Sequence, residues 1–331
     1  MILEQAEFAF EEKVKMIIST AHKNQEATEL SLCSEAIYIE EYEGTKLVFN
    51  PYLFLPVNVI LSLSALSGNI LILIALRKDS TLHPPSKLLL RCLSSTDLCV
   101  GLISQPIFVT YLMTVANRNW DICGITEGLA YTASTVLCGE SISTLTAISV
   151  DRLLALLLRL RYRQVVTLTR VRLFVIVSWT INFSFSLSYF WNKRFFFLGG
   201  CAWILLCLSI STCCYTKIYL TLRHRQAQIR DHFQPDNPGT SGINMTRYQK
   251  TVSGALWVFL ALLVCYLPYT TATAVTAVCG LSPLNVAAWN ATGIFVFFNS
   301  SLNPVLYCWK IREVRQAVKT TVRNIFAAHN S

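Results

Sequence analysis

Residues 88–112 read LLLRCLSSTDLCVGLISQPIFVTYL, an apolar run in which only Arg91 and Asp97 carry charge. As an α-helix such a run is about 37 Å long, enough to cross the roughly 30 Å hydrocarbon core of a bilayer. Six further runs of the same kind lie at approximately 52–76, 125–157, 171–191, 196–221, 252–278 and 285–308. Lipid offers no partner for backbone N–H and C=O groups, so each run is predicted to be a helix that bonds its own backbone. Of the 331 residues, 53% are hydrophobic and 14% charged, where soluble proteins carry about a quarter charged. The prediction is an all-α membrane protein, a bundle of seven transmembrane helices.

Charge orients the bundle. The first fifty residues hold 10 of the 19 acids and 4 of the 28 Lys and Arg, a net charge of −6 that leaves +15 on the rest. Basic residues in short loops stay on the cytoplasmic side. One set of connections carries sixteen of them, including Arg77, Lys87, Arg159, Arg163 and Arg223, while the other set has Arg118, Lys193 and Arg194. Residues 1–51 are therefore expected to form an acidic extracellular tail, 52–308 the bundle and 309–331 a cytoplasmic end, in a multi-pass protein of the plasma membrane. The start contains Glu4, Glu7, Glu11 and Glu12 and no basic leader, so a cleavable signal peptide is not expected. Ile311, Val314, Val318, Val322 and Ile325 recur at steps of three and four with basic residues between them. That spacing predicts a short amphipathic eighth helix on the anionic inner leaflet. Basic residues come in clusters separated by apolar runs rather than on one face with stacking aromatics, so no nucleic-acid partner is expected.

The twelve cysteines include no C-x-x-C pair and the five histidines are scattered, so no zinc site is expected. No G-x-S-x-G or H-E-x-x-H motif occurs, and the chain does not read as an enzyme. Asp97 is different: a charge inside a span costs at least ~2.5 kcal/mol on insertion scales and needs partners. Either neighbouring hydroxyls and amides merely tie it down, or it is a cation site or protonation switch. Asn69, Ser141, Asn299, Ser300 and Asn303 lie mid-span in three other runs and favour the cation. A hard cation wants oxygen ligands, so Na⁺ is expected at Asp97, with Ser141, Asn299, Ser300 and Asn303 around it, and no other cofactor. Pro268 and Pro304 each remove a helical hydrogen bond and create a bendable point. Asp151 beside Arg152 forms an ion pair able to hold a closed state. Glu140 points away from Ser141 and has no assigned partner.

These residues carry a resemblance. Gly68-Asn69, Leu93 with Asp97, Asp151-Arg152-Leu153, Trp179, Tyr215, Cys265-Tyr266-Leu267-Pro268 and Asn303-Pro304-Val305-Leu306-Tyr307 stand in order and at the depths of a rhodopsin-type, class A G protein-coupled receptor, over about 52–326. The resemblance implies a receptor that binds an extracellular small molecule or short peptide. It implies that Arg152, Tyr215 and Tyr307 rearrange, with outward movement of the sixth helix, to admit a heterotrimeric G protein. The expected pocket residues are Gln105, Glu127, Tyr131, Ser134, Tyr266, Tyr269, Thr270, Trp289 and Asn290, with Glu127 as the cation contact.

Departures narrow the subfamily. Glu127 stands where most members place the helix-three cysteine, and the second outer loop around Trp191 to Arg194 has no cysteine, so that disulfide cannot form. Cys207 replaces the usual helix-five proline. These features are similar to melanocortin receptors and their adenosine and cannabinoid relatives. Cys33, Cys123 and Cys279 are the cysteines placed outside; a Cys33–Cys279 bridge is the first expectation and three free thiols the alternative. The seventh run holds no lysine, which excludes a retinal Schiff base, and Ser134 cannot supply the charge that pairs with monoamines. A secondary transporter with buried carboxylates is the competing class, but transporters usually show repeated halves, and no internal repeat is visible.

Overall fold

A computed structural model describes residues 51–78, 82–117, 119–232, 260–279 and 283–310, together with residues 315, 316, 318–320 and 323. Among the described residues there are seven long helices: α1 Pro51–Lys78, α2 Pro84–Ala116, α3 Trp120–Leu158, α4 Leu168–Ser186, α5 Lys193–His232, α6 Leu260–Cys279 and α7 Pro283–Lys310. No strand occurs among the described residues. Helices α1 to α6 are each long and apolar enough to cross a membrane, and α7 packs along α1 and α2 to complete the bundle. α5 runs well past residue 221, the expected end of its apolar run, because the basic stretch beyond is still free of Pro and Gly. Of the expected eighth helix, Arg315, Gln316, Val318, Lys319, Thr320 and Arg323 are helical; Ile311, Val314, Val322 and Ile325 lie outside the described residues.

The packing inverts that of a soluble protein. Large apolar side chains such as Leu63, Ile176 and Val305 point outward at more than 60% exposure, while Asn69, Asp97, Glu140 and Asn303 are buried. With lipid outside there is no hydrophobic drive between helices, so close packing and interhelical hydrogen bonds hold the bundle. α3 is its axis, touching α2, α4, α5 and α7. At Gly68 an added Cβ would lie 2.9 Å from Pro304 Cγ, so this glycine is what lets α1 approach α7 at the proline bend. Asn69 Nδ2 then spans the two, donating to the carbonyls of Ala65 at 2.9 Å and Ser300 at 3.1 Å.

A π-helical turn, Val100–Ser104, interrupts α2. Pro106 brings no N–H and crowds the preceding turn, and the Gln105 N–H bonds back to Val100 O. Ser62 Oγ of α1 donates to the carbonyl of Gly101 at 2.7 Å, bonding a backbone oxygen within that turn.

Candidate functional site

Asp97 is fully buried and accepts three side-chain hydrogen bonds, from Ser141 Oγ at 2.9 Å and Ser300 Oγ at 2.8 Å on Oδ1, and from Asn303 Nδ2 at 2.7 Å on Oδ2. Ser300 and Asn303 are three apart on α7 and share a face, which is why both reach α2. Asn299 turns the other way and donates to the Tyr266 hydroxyl at 3.3 Å. Asn69 serves the α1–α7 contact described above. The cluster thus offers carboxylate and hydroxyl oxygens at one point, the donor chemistry a Na⁺ ion needs, from Asp97, Ser141 and Ser300.

On the far side of Tyr266 lies a cavity enclosed by α2 to α7. Of the nine residues expected to meet a ligand, Tyr131, Ser134, Tyr266, Tyr269, Trp289 and Asn290 line it. Gln105 instead faces α1 through a long contact to Asn58 O, 3.4 Å. Thr270 bonds its own helix at Tyr266 O. Tyr131 stacks on Trp289 at 4.6 Å with planes 6° apart and donates to Asn290 Oδ1 at 3.1 Å. Trp289 Nε1 is buried with no hydrogen-bond partner among the described residues. Among the described residues no Asp, Glu, Lys, Arg or His lines the cavity.

Glu127 is outside that lining and already has its cation: Lys193 Nζ sits 3.3 Å from Oε1, the Tyr189 hydroxyl donates to the same oxygen, and the ammonium lies 5.1 Å from the Tyr189 ring centroid. The sequence does not reveal this pair, because Lys193 begins a different helix, 66 residues away.

The expected Cys33–Cys279 bridge is corrected. Cys279 is a free, exposed thiol and Cys123, at the start of α3, is disulfide-bonded. The reason is position: Cys123 is buried at the helix-three end where a tether can be packed, whereas Cys279 is the last, exposed residue of α6. Cys33 lies outside the described residues, and the nine other cysteines are all free. Peptide mapping under non-reducing conditions is expected to recover Cys279 alkylated and Cys123 in a linked peptide. A Cys279-containing linked peptide would contradict it.

At the opposite end of α3, Asp151 is buried and its carboxylate is taken by two hydroxyls, Ser86 Oγ at 2.9 Å and Tyr162 OH at 2.6 Å. Arg152 Nε is 3.9 Å away with its side chain 40% exposed. The expected ion pair is therefore loose, and neutral hydroxyls from α2 and the turn after α3 do the holding. Tyr215 is buried on α5; the side chain of Tyr307 is outside the described residues. Pro268 and Pro304 lie within α6 and α7.

The sequence profile of the 7 transmembrane receptor (rhodopsin family) matches residues 68–194 and 188–307. The chain belongs to this family. It is 26% identical over 293 residues to the histamine H2 receptor of Rattus norvegicus, covering 82% of this chain and 79% of that one. It is 24% identical over 293 residues to adenosine receptor A3 of Ovis aries, 80% and 87% covered, and 25% over 312 residues to adenosine receptor A2b of Homo sapiens, also 80% and 87%. The receptor is thus a multi-pass plasma membrane protein of a family of receptors rather than of enzymes or transporters.

The site also contains residues that the sequence reading left without a role. Glu140 accepts from Ser178 Oγ at 2.5 Å and Asn182 Nδ2 at 3.2 Å, both on α4. The only signal for them was a buried carboxylate needing donors; which helix face supplies them is set by packing.

Proposed function

We propose that this receptor, with residues 1–51 outside the cell, binds a neutral, largely apolar small molecule in the cavity and activates a heterotrimeric G protein through outward movement of α6. One observation carries the reading. Tyr266 lines the cavity and its hydroxyl accepts from Asn299, the neighbour of Ser300, which bonds Asp97. A ligand pressing on Tyr266 therefore bears on α6 next to Pro268 and on the α7 cluster just before Pro304. Two helices with proline weak points meet there, the kind of element whose two packings lie close in energy.

The ligand class follows from the lining. A protonated amine such as histamine needs a carboxylate, and Glu127 is outside the cavity and paired with Lys193. Aromatic walls with scattered hydroxyls and amides suit a flat neutral molecule, the category to which adenosine belongs, and the unpaired Trp289 N–H asks for an acceptor on it. In lipid nanodiscs with purified G protein, neutral aromatic compounds are expected to change the rate of nucleotide exchange while monoamines leave it unchanged. Exchange that never exceeds that of G protein alone would remove the receptor reading. Activation by amines and by no neutral compound would remove the ligand class.

Na⁺ at Asp97 is part of the same proposal. An ion that binds one state better shifts the population toward it, and one with equal affinity for both shifts nothing. The closed cluster of Asp97, Ser141 and Ser300 favours the inactive state as the one that binds. Replacing Na⁺ by a bulky organic cation at constant ionic strength is expected to raise basal exchange of the wild type and to leave Asp97→Asn unchanged. Identical responses would make Asp97 a structural carboxyl group.

A further inference from the structure

Between α3, α4 and α5 the wall of the cavity is made by Gly139, Asn182, Phe185, Gly200 and Trp203, and we call this part its branch. The two glycines make it. A Cβ on Gly139 would come 2.5 Å from Asn182 Oδ1, so only glycine lets that amide lie against α3. A Cβ on Gly200 would meet nothing within 4 Å, so the space beside it is open.

The orientation of Asn182 is fixed from behind. Its Nδ2 donates to Glu140 Oε2 at 3.2 Å and to Ser178 O at 3.0 Å, which uses both amide protons. Flipping the amide would set its oxygen against the Glu140 carboxyl, which is itself held by Ser178 Oγ and, at 3.5 Å, Thr144 Oγ1. The Asn182 oxygen is consequently presented at the cavity wall, on a residue 97% buried, and accepts no hydrogen bond among the described residues. The surrounding groups are ring faces. Phe185 is stacked on Phe196 at 5.7 Å, and the Trp203 N–H is spent on Ser143 Oγ at 3.3 Å.

An acceptor on a buried residue that takes no hydrogen bond among the described residues, in an aromatic slot with open volume, is a place for the N–H or O–H of a ligand. We propose that this branch is a ligand subsite that takes a flat, uncharged aromatic ring bearing one hydrogen-bond donor, which it gives to Asn182 Oδ1. Glu140 is a positioning residue: it touches no ligand and sets which end of the amide faces the cavity. Anionic groups are excluded, because the acceptor oxygen and the carboxyl behind it repel them. The subsite rests on the reading of the cavity as a binding site but not on coupling to a G protein.

The test is thermal unfolding of the purified full-length receptor with indole and with 1-methylindole, which has the same ring system without the donor. Indole is expected to stabilise the wild type saturably, with a half-maximal concentration about fivefold lower than that of 1-methylindole, the worth of one hydrogen bond. Asn182→Leu should abolish that difference. Gly200→Leu fills the open space without touching the Glu140 hydrogen bonds and should abolish saturable stabilisation by both. Equal potency of the two probes in the wild type, a difference that persists in Asn182→Leu, or no saturable stabilisation at all overturns the proposal. If Asn182→Leu does not fold, saturable stabilisation surviving in Gly200→Leu does so alone. Nucleotide exchange on purified G protein is read separately, so a receptor that fails to couple leaves the binding result standing.

Discussion

Replacing Arg152 by Ala is expected to lower receptor-stimulated nucleotide exchange by at least about tenfold while surface expression stays near that of the wild type. Its side chain is 40% exposed and its contact with Asp151 is 3.9 Å long, so removing it takes little from the fold: exposed ion pairs contribute about 0–1 kcal/mol. Its proposed work is at the docking face. Asp151 behaves oppositely, being buried and bonded to Ser86 and Tyr162. Asp151→Ala would remove the acceptor shared by two hydroxyls and leave them only their mutual contact at 3.1 Å, which loosens the junction of α2, α3 and the following turn, so expression should fall as well. The comparison is made on cells counted for surface receptor and on membranes assayed for exchange at equal receptor density. Undiminished exchange in Arg152→Ala would remove Arg152 from the coupling mechanism.

The second large effect lies at the other end of α3. Lys193→Met is expected to destabilise the purified receptor by about 3 kcal/mol, the low end for breaking a buried ion pair because Lys193 is 23% exposed. Most of that cost is the Glu127 charge left buried beside Tyr189. The double variant Glu127→Gln with Lys193→Met, which carries no charge there, should therefore be more stable than Lys193→Met alone. A double-mutant cycle on melting temperatures reads this directly. Additive effects of the two substitutions would mean that the contact does no structural work. By the resemblance, Glu127 stands where most of the family carries a disulfide, and its pairing with Lys193 ties α3 to the first residue of α5.

Lipid as solvent made the seven helices legible. A run such as 88–112 can satisfy its backbone only as a helix, and the uneven basic loops predict a direction for it. The same solvent made Asp97 conspicuous and singled out Ser300 and Asn303, polar residues mid-span in another run, as partners for it. Sequence spacing says which residues share a face but not which neighbouring helix that face meets. Asn299 looked equivalent to Ser300, yet one residue is a turn of about 100°, and it serves Tyr266 instead. Glu140 and Glu127 each announced a need for donors, and rotation of α3 against α4 and α5 chose Ser178 with Asn182 for one and Lys193 with Tyr189 for the other.

The bridged cysteine was likewise a choice among three positions expected outside, which distance in sequence does not order. Local chemistry thus determined the helices, the family and the buried charges, because each is a property of a single segment in lipid. The partners of those charges, the neutral cavity and its Asn182 branch belong to the tertiary structure alone, because they depend on how far each helix is rotated about its own axis.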